Sequence, residues 1–82
     1  MHPRKGPRRV GDPGGVIRLF VNGEEHRAET GLTLAQLLTR LELPAARLAV
    51  ERNRRIVPRE RYDDEHLEDG DRLEIVTLVG GG

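Results

Sequence analysis

Three observations predict an α+β domain with one mixed sheet and one helical layer. Asn22-Gly23 separates two strand-like runs. Leu34, Leu37, Leu38 and Leu41 recur at the spacing of one helical face. The most apolar segment, Leu73 to Val79, comes last and runs straight into Gly80, Gly81 and Gly82. A hairpin, a helix across it and further strands bury their apolar faces against one another in two layers.

Each element has its own signal. Met1 to Gly15 is dense in Gly and Pro and carries Arg4, Lys5, Arg8 and Arg9 against Asp12 alone. Such a stretch buries too little apolar area to offset its ordering entropy, so residues 1–15 are expected to be a disordered basic extension. The folded domain is expected over residues 16–79, with 80–82 as a flexible glycine tail. Val16 to Val21 reads as the first strand. Asn22-Gly23 fits a type I′ turn, whose two central residues both need positive φ. Glu24 to Ala28 reads as a polar return strand at or near an edge. Thr33 is the helix N-cap, and Gln36 three residues later completes a capping box. Leu32 and Leu37 are spaced for a hydrophobic staple, and Pro44 bars continuation of the helix.

Leu48 to Glu51 reads as the third strand. Ile56-Val57 before Pro58 is a short edge strand, because proline offers a ladder no N–H. Arg59 to Leu67 is a charged turn anchored by Tyr62 and Leu67. Asp69-Gly70-Asp71 is a turn, and Arg72 to Val79 is the last strand, expected at the centre of the sheet. With a period of two, Ile17, Leu19, Val21, Leu48, Val50, Leu73 and Ile75 should face the helix. Phe20, Ala49, Val76 and Leu78 then lie on the opposite face as a candidate docking patch.

Composition narrows the function. The 82 residues allow one domain with a small core. There is no cysteine, so neither a disulfide framework nor a reactive thiol is available. The aromatic residues are Phe20 and Tyr62, so the core is aliphatic. Formal net charge is zero, which argues against a nucleic-acid-binding domain. No apolar run is long enough to span a membrane. No apolar stretch follows Arg8-Arg9, so it is not read as an export signal, and the cytoplasm is expected. His2, His26 and His66 lack metal-ligand spacing. The acidic runs Glu24-Glu25, Asp63-Asp64-Glu65 and Glu68-Asp69 read as solvated surface. No nucleophile–base pair or phosphate loop is legible, so a stand-alone enzyme is not expected. The glycines are the chemical feature. Without side chains they can thread a narrow channel and present a carboxyl carbon.

The Asn22-Gly23 turn, the Thr33-to-Leu41 helix, Ile56-Val57-Pro58-Arg59, Asp69-Gly70-Asp71 and the closing Leu73-Glu74-Ile75-Val76 strand with its glycines resemble the ThiS-type sulfur carriers of thiamine biosynthesis. These are ubiquitin-like β-grasp domains, with a mixed sheet of four to five strands packed on one helix. The resemblance runs from Val16 to Gly82. The extension before Val16, Tyr62 in place of a tryptophan, and the basic Asn53-Arg54-Arg55 turn depart from it.

The resemblance implies that an E1-like adenylyltransferase uses MgATP to convert the Gly82 carboxylate to an acyl-adenylate. A cysteine desulfurase or other sulfur donor then displaces AMP to leave a thiocarboxylate. Thiazole synthase takes the sulfur. The carrier, monomeric when free, would bind no cofactor or metal of its own. Gly80 and Gly81 would form a neck that fits the partner's channel. Arg59 stands open between partner contact and a solvated or capping role. Two alternatives share the fold: a MoaD-type small subunit of molybdopterin synthase or another sulfur carrier, and a β-grasp module that only binds partners.

Overall fold

The computed structural model describes residues 15–78. Its strands are β1 (Val16–Val21), β2 (Glu24–Glu29), β3 (Leu48–Arg52), β4 (Arg55–Ile56) and β5 (Arg72–Thr77), with one helix, α1 (Leu34–Arg40). Short 3-10 turns cover Ala45–Arg47 and Arg59–Arg61. The strands form one mixed sheet in the order β2-β1-β5-β3-β4. β1 and β5 are parallel at its centre, and the other pairs are antiparallel. The expected α+β class, the central last strand and the edge position of Glu24–Glu29 are all present.

The pleat sorts side chains as the period of two requires. Ile17, Leu19, Val21, Leu48, Val50, Leu73 and Ile75 are all buried, together with Leu34, Leu37 and Leu38 of α1. Tyr62 and Leu67 close one end of this core, as their isolation among charges suggested. Burying a Leu or Ile side chain contributes roughly 1.5–3 kcal/mol. This one aliphatic cluster therefore supplies most of the stabilisation a chain without cysteine can draw on.

The first turn of α1 shows why the polar 62–67 segment lies where it does. An isolated helix N-terminus leaves its first N–H groups without partners. Here Thr33 Oγ1 accepts from Gln36 N, and Gln36 Oε1 accepts from Thr33 N, which is the expected capping box. Leu34 N donates to the Glu65 carbonyl and Ala35 N to the Tyr62 carbonyl, at 2.8 and 3.0 Å.

The helix ends before Pro44. Glu42 takes a left-handed φ of 60°. Its N–H donates to the Thr39 carbonyl and the Leu43 N–H to the Leu38 carbonyl. That is a Schellman ending, so backbone hydrogen bonds stop the helix and proline only follows. Among the described residues, no helix is long and apolar enough to cross a membrane.

Candidate functional site

The strand that leads to the glycines is clasped on both edges by asparagine turns. Asn22 (φ 51°) and Gly23 (φ 87°) form the β1–β2 turn. β1 ends there, but the Asn22 side chain continues its hydrogen bonding. Its Oδ1 accepts from Ile75 N at 2.8 Å, and its Nδ2 donates to the Ile75 carbonyl at 3.1 Å. The side-chain amide thus stands in for one further residue of a parallel strand. On the other edge, Asn53 N donates to the Arg72 carbonyl at 2.7 Å. Asn53 Oδ1 accepts from Arg72 N at 2.9 Å. Past these clasps β5 stays paired to β3 as far as Leu78, whose N–H donates to the Arg47 carbonyl at 2.8 Å. The direction of the strand is therefore fixed as far as Leu78.

The sheet face away from α1 carries the candidate patch. Ala49 and Val76 are direct cross-strand partners. Ala49, Val76 and Leu78 are exposed, Val76 at 53% and Leu78 at 49%. These three sit together where β5 leaves the fold. Phe20 is on the same face but not beside them. It pairs with Arg72, whose guanidinium lies 5.2 Å above its ring. Val76 lies four residue steps along β5 from Arg72, roughly 13 Å at strand rise, and the Glu51–Glu74 pair lies between. The face is thus an apolar end near the exit, an acidic middle and a capped aromatic end. Gly80, Gly81, Gly82 and Val79 lie outside the described residues, as does the extension up to Gly14.

Sequence reasoning missed the polar knot beneath this face. Glu65 and Asp71 were expected as solvated surface and turn. Asp71 is instead 5% exposed, and the Glu65 side chain 14%. Arg52 Nε donates to Asp71 Oδ2 at 2.7 Å and Arg52 Nη1 to Glu65 Oε2 at 2.8 Å. Asp71 also accepts from Asn53 Nδ2 at 3.0 Å and from Glu68 N at 2.8 Å. Burial opposes the charge on Arg52, but its bonds to Glu65 and Asp71 outweigh that and raise its pKa. The Arg52 hydrogen bond, against some desolvation and with Arg61 helping, holds the Glu65 carboxyl below its ordinary value. The sequence pattern ends the third strand at Glu51, and the structure extends it to Arg52, directly before the Asn53-Arg54 turn.

The remaining candidates fall into place as surface. His66 Nδ1 lies 3.2 Å from the Gly31 carbonyl, and His26 lies 3.7 Å from Glu24. Arg59 is exposed. Among the described residues, no group of three His, Cys, Asp or Glu is placed to hold a metal ion.

Known proteins match this arrangement. The model of the ThiS family matches residues 15–82. The chain belongs to the ThiS family. A sulfur carrier protein ThiS from Bacillus subtilis is 41% identical over 78% of this chain and 98% of its own length. A thiazole synthase from Paramagnetospirillum magneticum is 42% identical over 80% of this chain, which spans only 20% of that much longer protein. Among solved structures, the crystal structure of a thiamine biosynthesis protein (ThiS) from Geobacter metallireducens superposes with a TM-score of 0.69 at 32% identity. It covers 80% of this chain and all of that one. The β-grasp fold expected from the ThiS resemblance is therefore the fold of the family.

Proposed function

We propose that this ThiS-family chain is a sulfur carrier of thiamine biosynthesis whose reactive group is the Gly82 carboxylate. The observation that carries the reading is the delivery of β5. The strand is clasped by Asn22 and Asn53, flanked at its exit by exposed Ala49, Val76 and Leu78, and followed within two residues by Gly80-Gly81-Gly82. A carboxylate resists nucleophiles because its charge is delocalised over both oxygens. Adenylation by an E1-like partner using MgATP removes that resistance: a carboxylate oxygen attacks the α-phosphorus and pyrophosphate leaves. Hydrosulfide, released from a cysteine desulfurase's persulfide by a thiol reductant or supplied by another donor, then attacks the carbonyl carbon. AMP departs and a thiocarboxylate remains for thiazole synthase.

In this scheme the chain performs presentation, not acid–base chemistry. Gly80 and Gly81 keep the neck narrow enough for a partner's active site, and the apolar end of the sheet face docks against the partner's surface. The carrier holds no cofactor, and ATP enters through the adenylyltransferase. Complementation tests the pathway. In a thiazole-requiring strain that lacks its own carrier, the full chain should restore growth without added thiazole. Restored molybdopterin synthesis in a strain lacking the synthase small subunit, with no growth in the first strain, would assign the chain to the MoaD branch instead.

A further inference from the structure

We propose that the corner formed by the β3–β4 turn and the edge strand β4 is a second docking surface, which takes an acidic, leucine-bearing segment of a protein partner. A groove of about 610 Å³ opens there, with Arg52, Arg55, Ile56, Val57, Arg61 and Glu65 in its lining. Of the three lining cations, Arg52 is matched by Asp71 at 2.7 Å and Glu65 at 2.8 Å, and Arg61 by Glu65 at 3.4 Å, which leaves Arg55. Among the described residues Arg55 has no carboxylate within 4.0 Å, and neither have Arg54 and Arg59 at the margins. Glu60, Asp63 and Asp64 on the neighbouring turn are exposed but do not line the groove. The cations of this corner without a carboxylate partner among the described residues are therefore Arg55 in the lining and Arg54 and Arg59 beside it.

The apolar part of the corner selects the kind of anion. Ile56 is 75% exposed, more than Val16, Val76 or Leu78, and it sits directly beside Arg55. A small anion would satisfy the arginines and leave Ile56 in water. A peptide that alternates carboxylates with an apolar side chain covers both. Strand addition does not suit the site. Val57 N donates inward to the Val50 carbonyl at 2.9 Å, so only Ile56 turns its backbone groups outward, and Pro58 has no N–H. Recognition therefore runs through side chains.

The occupant comes from another molecule. Arg52 pairs with Leu73, and Leu78 lies five residue steps farther along the chain, roughly 17 Å at strand rise. Four residues, such as 79–82, span at most about 14 Å even when fully extended, which is less than that distance. The segment before Gly15 has the wrong charge, with Arg4, Lys5, Arg8 and Arg9 against Asp12. The corner and Leu78 thus lie at opposite ends of the β3–β5 pairing.

The test uses the isotopically labelled full chain and a synthetic hexapeptide of alternating Glu and Leu, with a Gln-and-Leu counterpart and inorganic phosphate as comparisons. Backbone amide shifts report binding. The Glu peptide should shift Arg55, Ile56 and Val57 saturably, and more weakly as salt is raised. Charge reversal in Arg55→Glu should lower the affinity about tenfold. Ile56→Ser should also weaken it, whereas Arg27→Gln on β2 should leave it unchanged. Both corner residues are exposed, so the variants keep the fold. The absence of saturable shifts, equal binding of the Gln peptide, or phosphate shifting the same amides as strongly would overturn the proposal.

Discussion

Arg52 is the side chain on which the most charge converges, and it illustrates what a single residue contributes here. It is 19% exposed and bonds two carboxylates, of which Glu65 also meets Arg61 at 3.4 Å and Asp71 has no other cation among the described residues. Arg52→Ala leaves Asp71 and Glu65 short of their partner, which should lower stability by about 2–3 kcal/mol at pH 7. The pH dependence follows from Glu65, whose carboxyl is held below 4.5 by its bond to Arg52. A depressed carboxyl stabilises the fold above its unfolded pKa and loses that contribution as pH falls through the folded value. The deficit of Arg52→Ala should therefore shrink below about pH 4, as urea unfolding at the two pH values would register. A deficit independent of pH would separate Arg52 from Glu65. This knot was illegible in the sequence because Asp71 and Glu65 look like any charged turn residues. Only the β3–β5 register brings Arg52 to them from 19 and 13 positions away.

At the scale of elements, the helix start and the helix end contrast. The start was legible because Thr33, Gln36 and the leucines act within one turn of each other. The place of the end was legible from Pro44, but its mechanism was not, because Glu42 at a left-handed position is no sequence signal where glycine is usual. Glu42→Gly should accordingly stabilise the domain by about 0.5–1 kcal/mol, seen as a higher urea midpoint with an unchanged slope. A lower midpoint would mean that Glu42 makes a stabilising interaction of its own. The Asn22 turn was also legible, but its side-chain clasp on Ile75 was not, since it spans 53 positions. Asn22→Gly keeps the positive φ and removes only the clasp. It should cost about 1–2 kcal/mol, with hydrogen exchange accelerated at Ile75 N and at the β5 positions beyond it. Unchanged protection there would show that β3 alone fixes the strand.

For the whole molecule, the alternation of apolar residues was enough to divide the sheet into a buried and a solvent face. It did not resolve that the solvent face has separate ends, because Phe20 and Val76 share a face but not a neighbourhood. The apolar end lies where β5 ends, and under the proposed function a partner that takes the glycine run would also meet Val76. Val76→Arg, at a 53% exposed site, should leave Tm nearly unchanged. It should lower the efficiency of adenylation about tenfold or more, measured as kcat/KM for the carrier. Unaltered efficiency would move docking elsewhere on the surface.

The central claim is that the carboxylate after the glycine run receives sulfur. Intact mass of the full chain after incubation with MgATP, its cognate adenylyltransferase and a sulfide source tests it most directly. The account predicts the exchange of one oxygen for one sulfur, absent when Gly82 is deleted. An unchanged mass, or a gain that survives the deletion, would contradict it.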